Sequence, residues 1–313
     1  MISIIIGALL PVVVTLALGM LAGWHRDQDV AAARSLNHVV LTYALPLALF
    51  SGTITIPRAE LIQDWPLLVV LLAATAVPFV LALLVDLYIA RRTLQAAALQ
   101  AMAFGFPAIA FTGIPILTPL IGGNAIVVVD FAGLTGNIII LPTTLVLLSF
   151  AQLHGGGGHG DWRSIATALK GALLQPVVLS PLLAITLVLL NIHLPTAVSS
   201  SLRLLGGTVG GISLFASGII LQSQKLVVSL SAAVSSVARL LVIPGLTYAA
   251  LNWFGVGGDA LKMPVLALGL AAAPMQVILS TRYRTDEQEN ASVLLYTNLL
   301  CIPTLAFFIW VTH

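Results

Sequence analysis

GNIIILPT occupies residues 136–143, and TNLLCIPT occupies residues 297–304. Both place an Asn five residues ahead of a Pro-Thr pair within an otherwise oily run, 161 positions apart. Neither feature suits a lipid-embedded helix, because Pro removes a backbone donor and a side-chain amide is costly in hydrocarbon. Their recurrence marks an internal repeat, and further matches keep the same order. Leu10-Pro11-Val12-Val13 returns as Gln175-Pro176-Val177-Val178, and Leu49-Phe50-Ser51-Gly52 as Phe215-Ala216-Ser217-Gly218. Val77-Pro78 returns as Ile243-Pro244, and Phe106-Pro107 as Ala273-Pro274, with offsets between 161 and 167 throughout.

The repeat lies in a strongly apolar chain. Of its 313 residues, 59% are hydrophobic and 8% charged, with a mean hydropathy of +1.08 that excludes a soluble globular domain. About 20 apolar residues cross a bilayer. Ten stretches qualify: 2–24, 34–52, 66–89, 98–121, 125–149, 171–190, 199–221, 226–252, 262–281 and 289–311. The first is too long for a signal-peptide core and carries no cleavage pattern. Five spans per half is an odd number, so the second half enters the membrane upside down relative to the first.

The charge distribution sets the orientation. With odd-numbered loops cytoplasmic, those loops hold Arg26, Arg34, Arg91, Arg92, Arg163, Lys170, Lys225, Arg282 and Arg284, against Arg58, Arg203 and Lys262 opposite. The positive-inside rule then places both termini outside the cytoplasmic membrane. The net charge of +2 is topological and points to no nucleic-acid partner. HGGGGHGDW, residues 154–162, separates the halves, giving 1–150, a linker at 151–170, and 171–313. Its two His residues lack further ligands, so no metal site is expected. The single Cys301 excludes an intramolecular disulfide.

Inverted repeats are a structural basis for alternating access, and their sites form where helices break. Span four, FGFPAIAFTGIPILTPLIGG (residues 104–123), holds Pro107, Pro115 and Pro119, and span nine holds Pro274 followed closely by Gln276. Breaks at Pro107, Pro115 and Pro274 would bring half-helix N-termini to mid-depth, where they attract an anion. Thr112 and Gln276 are candidate binding side chains there. Pro142 and Pro303 free the carbonyls of Ile138 and Leu299, and Thr143 and Thr304 are placed to compensate nearby backbone. Asn137 and Asn298 either line the site or brace the broken helices.

Arg239, midway along span eight, needs a partner. That partner is either a substrate carboxylate or an internal acid, Asp130 or Asp86. The same two acids are the candidates for proton or sodium coupling. Glycines 206–211, GGTVGG, offer a close-packing surface. No Ser-His-Asp spacing, HExxH or paired intramembrane acid appears, so an enzyme is not expected. A channel is the alternative class, and no cofactor is expected.

LNHVVLTYALPLALFSG (residues 36–52), FTGIPIL (111–117), AAAPMQVILSTRYRTD (271–286) and YTNLLCIPT (296–304) resemble the auxin efflux carrier family over the whole chain. Within it, the chain is similar to bacterial malonate transporters linked to malonate decarboxylase. The resemblance implies an all-α membrane protein of ten helices in two inverted five-helix repeats. Helices 1, 2, 6 and 7 would form a dimerising scaffold, and helices 3–5 and 8–10 a moving unit with crossing broken helices four and nine. It further implies elevator-type transport of a small organic anion, malonate or another short acid such as malate or lactate. The plant relatives carry Asn directly after the span-four crossover Pro, where this chain has Ala108.

Overall fold

The structure, a computed structural model, describes residues 2–122, 124–154, 170–171, 174–192, 194–223 and 230–312. It is all-helical, with no strand element among the described residues. The helices used below are α1 (Ile2–Trp24), α2 (Val30–Thr53), α3 (Trp65–Ile89), α4 (Leu94–Gly105), α5 (Ile114–Ile121), α6 (Ala125–Gln152) and α7 (Pro176–Leu189). They are followed by α8 (Thr196–Ser223), α9 (Leu230–Trp253), α10 (Asp259–Leu268), α11 (Met275–Tyr283) and α12 (Glu287–Val311). Six of them, α2, α3, α6, α8, α9 and α12, are long and apolar enough to cross a membrane. Two shorter apolar helices are Val13–Trp24 and Pro176–Leu189.

Several helices are locally wound as π-turns: Val40–Ala44, Val85–Ile89, Ile109–Gly113, Gly136–Ile140 and Ala238–Val242. Four of these five immediately precede a Leu-Pro or Ile-Pro pair, at Pro46, Pro115, Pro142 and Pro244. The coincidence has a steric cause. Proline cannot donate to the carbonyl four residues back and its ring pushes against that turn, so widening the turn relieves the clash without ending the helix. After Gly136–Ile140, Leu141 donates to the carbonyl of Gly136, five residues earlier. Around Pro303, α12 stays α-helical, and Thr304 bonds the carbonyls of Leu300 at 2.8 Å and Cys301 at 3.2 Å. The expected helper Thr143 is exposed instead, and Thr144 bonds the carbonyl of Ile140 at 2.8 Å.

Packing sorts the helices into two groups. In the first, α2 lies against α7 and α8, and α8 runs along α1. The α1–α8 seam is close: a Cβ at Gly19 would stand 2.1 Å from the carbonyl oxygen of Phe215, and one at Gly218 would stand 2.2 Å from that of Leu16. Only glycine permits backbones to meet in this way. In the second group, α3 packs on α4, α6 and α10, while α9 packs on α10 and α12. Its core includes Leu71, Ile116, Phe131, Leu240, Leu266 and Leu305, all fully buried.

Candidate functional site

Span four is interrupted at Pro107 and span nine at Pro274, whereas Pro115, expected as a third break, lies in a continuous helical stretch because its widened preceding turn accommodates the ring. Helix α4 ends at Gly105 and resumes through the π-turn Ile109–Gly113 into α5, with Pro115 in its first turn. Helix α10 ends at Leu268 and the chain resumes as α11 at Met275, with Pro274 as its N-cap residue. The two gaps meet. Pro107 and Ala272 form an isolated antiparallel bridge, in which Ala108 N donates to Ala271 O at 2.8 Å and Ala273 N to Phe106 O at 3.1 Å. Backbone freed by the helix breaks is thereby satisfied within the protein, as a lipid environment demands.

A cavity of about 520 Å³ lies beside this crossing, between the two helix groups. Phe106, Pro274 and Met275 border it on the crossing side, Asp130 and Asn137 project from α6, and Ser51, Arg203 and Ser213 contribute from α2 and α8. Asn137 sits within the π-turn Gly136–Ile140, half-buried, and its amide has no hydrogen-bond partner among the described residues. Asp130 and Arg203 border the same space yet form no ion pair within 4.0 Å. Together these groups give an apolar chamber with a free amide, one cation and one acid, a lining suited to a small charged solute.

Not every predicted residue reaches the chamber. Asn298 is buried, outside the cavity lining, and its amide donates to Leu294 O of its own helix at 2.8 Å. Thr112 bonds back to Ala108 O at 3.1 Å, and Gln276 donates to Asn290 O at 3.2 Å while its own oxygen has no partner. Both are buried.

Arg239 departs furthest from expectation, for it meets neither Asp130 nor Asp86. It is 0% exposed, and its Nε donates to Ala103 O at 2.9 Å and its Nη1 to Leu268 O. Asp86 lies 3.7 Å from Arg92, which also holds Glu289 at 2.8 Å. A helix C-terminus presents uncapped carbonyls and a partial negative charge, so it can neutralise a cation as a carboxylate would. Arg203, conversely, borders the cavity although its place between apolar runs marked it only as a topological charge. No cluster of metal-ligating side chains occurs among the described residues, and residues 155–169, with most of the linker and His159, lie outside them.

Comparison with known proteins gives a consistent assignment. The family model described as membrane transport protein matches residues 4–154 and 161–309. The uncharacterized transporter YfdV of Escherichia coli (strain K12) is 29% identical over 315 residues, covering 100% of this chain and 99% of that protein. Proteins of the same description from Escherichia coli O157:H7 and Shigella flexneri match with the same identity and coverage.

Proposed function

Because this chain belongs to the membrane transport protein family, the family of the auxin efflux carriers, we propose that it is a secondary carrier of small organic anions, with malonate as the foremost substrate. The single observation that carries the reading is the chamber beside the crossing of two broken helices, where Asn137 and Arg203 offer donors to a carboxylate. An amide and a guanidinium bordering one cavity supply donors of the kind that the two carboxylates of a short diacid require. Ser51 and Ser213 add hydroxyl donors, and the apolar remainder accommodates the methylene.

In this reading the two halves are inverted five-helix repeats of a ten-span protein of the bacterial inner membrane, with both termini outside. The group containing α1, α2, α7 and α8 is the scaffold and the surface of a homodimer. The other group moves against it as an elevator, carrying the crossing and Asn137 past Arg203. Asp130, on the moving wall, is the candidate for proton coupling. Malate and lactate are the competing substrates, and a channel is the competing class.

Proteoliposome uptake of labelled malonate, challenged with a panel of mono- and dicarboxylates, tests the reading. Saturable uptake, inhibited by short dicarboxylates and lowered about tenfold in affinity by Arg203→Gln, is the expected result. Flux that rises linearly with concentration would establish a channel instead. Preferential inhibition by a monocarboxylate would reassign the substrate within the carrier reading.

A further inference from the structure

Two half-helices, α4 and α10, end inside the protein, and a helix that ends in the interior leaves its last carbonyls without intrahelical partners. Each such end carries about half a negative elementary charge. Brought together at a crossing, two such ends repel one another. Arg239 lies between them, with Nε on Ala103 O of the last turn of α4 and Nη1 on Leu268 O, the final residue of α10. The charges therefore balance locally, one guanidinium against two half-dipoles, and among the described residues no carboxylate stands within 4.0 Å of it.

The second end has further support. Cys301 Sγ lies 3.6 Å from Gly269 O, and Ala272 N donates to Thr297 Oγ1 at 3.3 Å. Arg239 alone, among these side chains, touches both half-helices. Beyond those two carbonyls the chain runs directly into Phe106–Ala108 and Ala271–Ala273, which pair across the bridge and carry Phe106 to the cavity wall.

We infer that Arg239 is a positioning residue: by holding the carbonyl ends of α4 and α10 at one spacing it sets the geometry of the crossing, and through it the shape of the chamber, without touching the transported anion. The inference rests on the carrier reading for its transport consequences and on the hydrogen bonds alone for its structural ones. Arginine suits the task because its planar fork reaches two acceptors at once and keeps its charge, whereas lysine presents a single point charge on a flexible stem. The unpartnered Nη2 leaves both of its N–H donors in reserve and does not border the cavity.

The test compares the wild-type protein, Arg239→Lys and Arg239→Met in proteoliposomes. The probes are malonate and malonamate, its monoamide, which has the same outline and one carboxylate fewer. Hydrogen–deuterium exchange is followed on the same proteins in detergent. Arg239→Met should raise KM about tenfold for both probes alike, with the maximal rate per folded transporter kept within about twofold, and Arg239→Lys should recover part of the loss. The amides of Ala108 and Ala273 should exchange at least about tenfold faster, while the α1–α8 seam stays unchanged.

A loss confined to malonate would overturn the inference, since it would place the guanidinium on a substrate carboxylate. Unchanged KM and unchanged exchange at the crossing, with only a lower yield of folded protein, would overturn it in favour of a purely stabilising role. If Arg239→Met is not recovered folded, Arg239→Lys carries the comparison. If the wild-type protein transports neither probe, the substrate reading fails, and the exchange data still decide the role of Arg239.

Discussion

The two Asn-Pro motifs share a spacing and differ in nearly everything their side chains do. In the first, Asn137 lies in a π-turn and turns an unpaired amide to the cavity; in the second, Asn298 lies in a regular α-helix and spends its amide on Leu294. The residue before each Asn is Gly136 in one motif and Thr297 in the other. The residue before each crossing proline is Phe106 in one and Ala273 in the other. These differences compensate. A Cβ on Gly136 would stand 2.5 Å from the Phe106 ring, so the large residue at the break requires the small one on α6. In the second half the break carries a small residue, and the hydroxyl of Thr297 accepts from the backbone of Ala272. The two breaks thus differ in volume and polarity, and the cavity-facing amide belongs to the first motif alone.

The most severe way to break that comparison is Gly136→Thr, which copies the second motif into the first. Overpacking against Phe106 should cost up to about 3 kcal/mol in detergent thermal unfolding. Adding Phe106→Ala should return most of it, and simple addition of the two losses would show that the exchange of volumes is accidental. Next come the asparagines. Asn137→Ala should weaken malonate binding by calorimetry about tenfold, near 1.4 kcal/mol, and leave the melting temperature unchanged. Asn298→Ala should do the reverse, and equal losses of affinity from both would restore the symmetric reading of the motifs.

Thr297→Val should cost about 1 kcal/mol of stability by stranding the amide of Ala272, with faster exchange at that amide as its signature. The smallest effect calibrates the start of α12, the helix carrying the second motif. Burial, with Glu289 adding to it, holds the Asp286 carboxyl above its ordinary range. The folded state thus disfavours the charge that the unfolded chain accepts, so the penalty is present at neutral pH. It fades as pH falls through the raised folded value and is gone below the unfolded one. Asp286 also adopts a left-handed backbone, φ 46°, which Asn tolerates. Asp286→Asn should therefore stabilise by less than about 0.5 kcal/mol at neutral pH and not at all in acid. An equal gain at both pH values would refute the electrostatic account.

The breaks of spans four and nine were legible because Pro107 and Pro274 act through the backbone, whose response to proline is local. For the asparagines the same logic left lining and bracing open, and it is the packing that puts Asn137 at the cavity and Asn298 outside its lining. Other placements depend on tertiary packing. Arg203 stands at the edge of an apolar run, as topological charges do, and only the packing of α8 beside α2 brings it to the chamber. The partners of Arg239 are main-chain carbonyls, which every residue possesses and no pattern of letters reveals. The shift from Thr143 to Thr144 has a different source. Each π-turn inserts about one residue relative to an α-helix, which rotates the residues downstream of it by roughly 100° and defeats a face assignment made at 3.6 residues per turn.

Where backbones touch at Gly19 and Gly218, no side chain remains that could repack to let α1 and α8 slide. For anyone measuring distances by spin-label or fluorescence spectroscopy, that seam supplies a fixed origin. A probe beside it registers the motion of the rest of the molecule and adds none of its own, so a distance change from it to the crossing reads directly as displacement of the crossing.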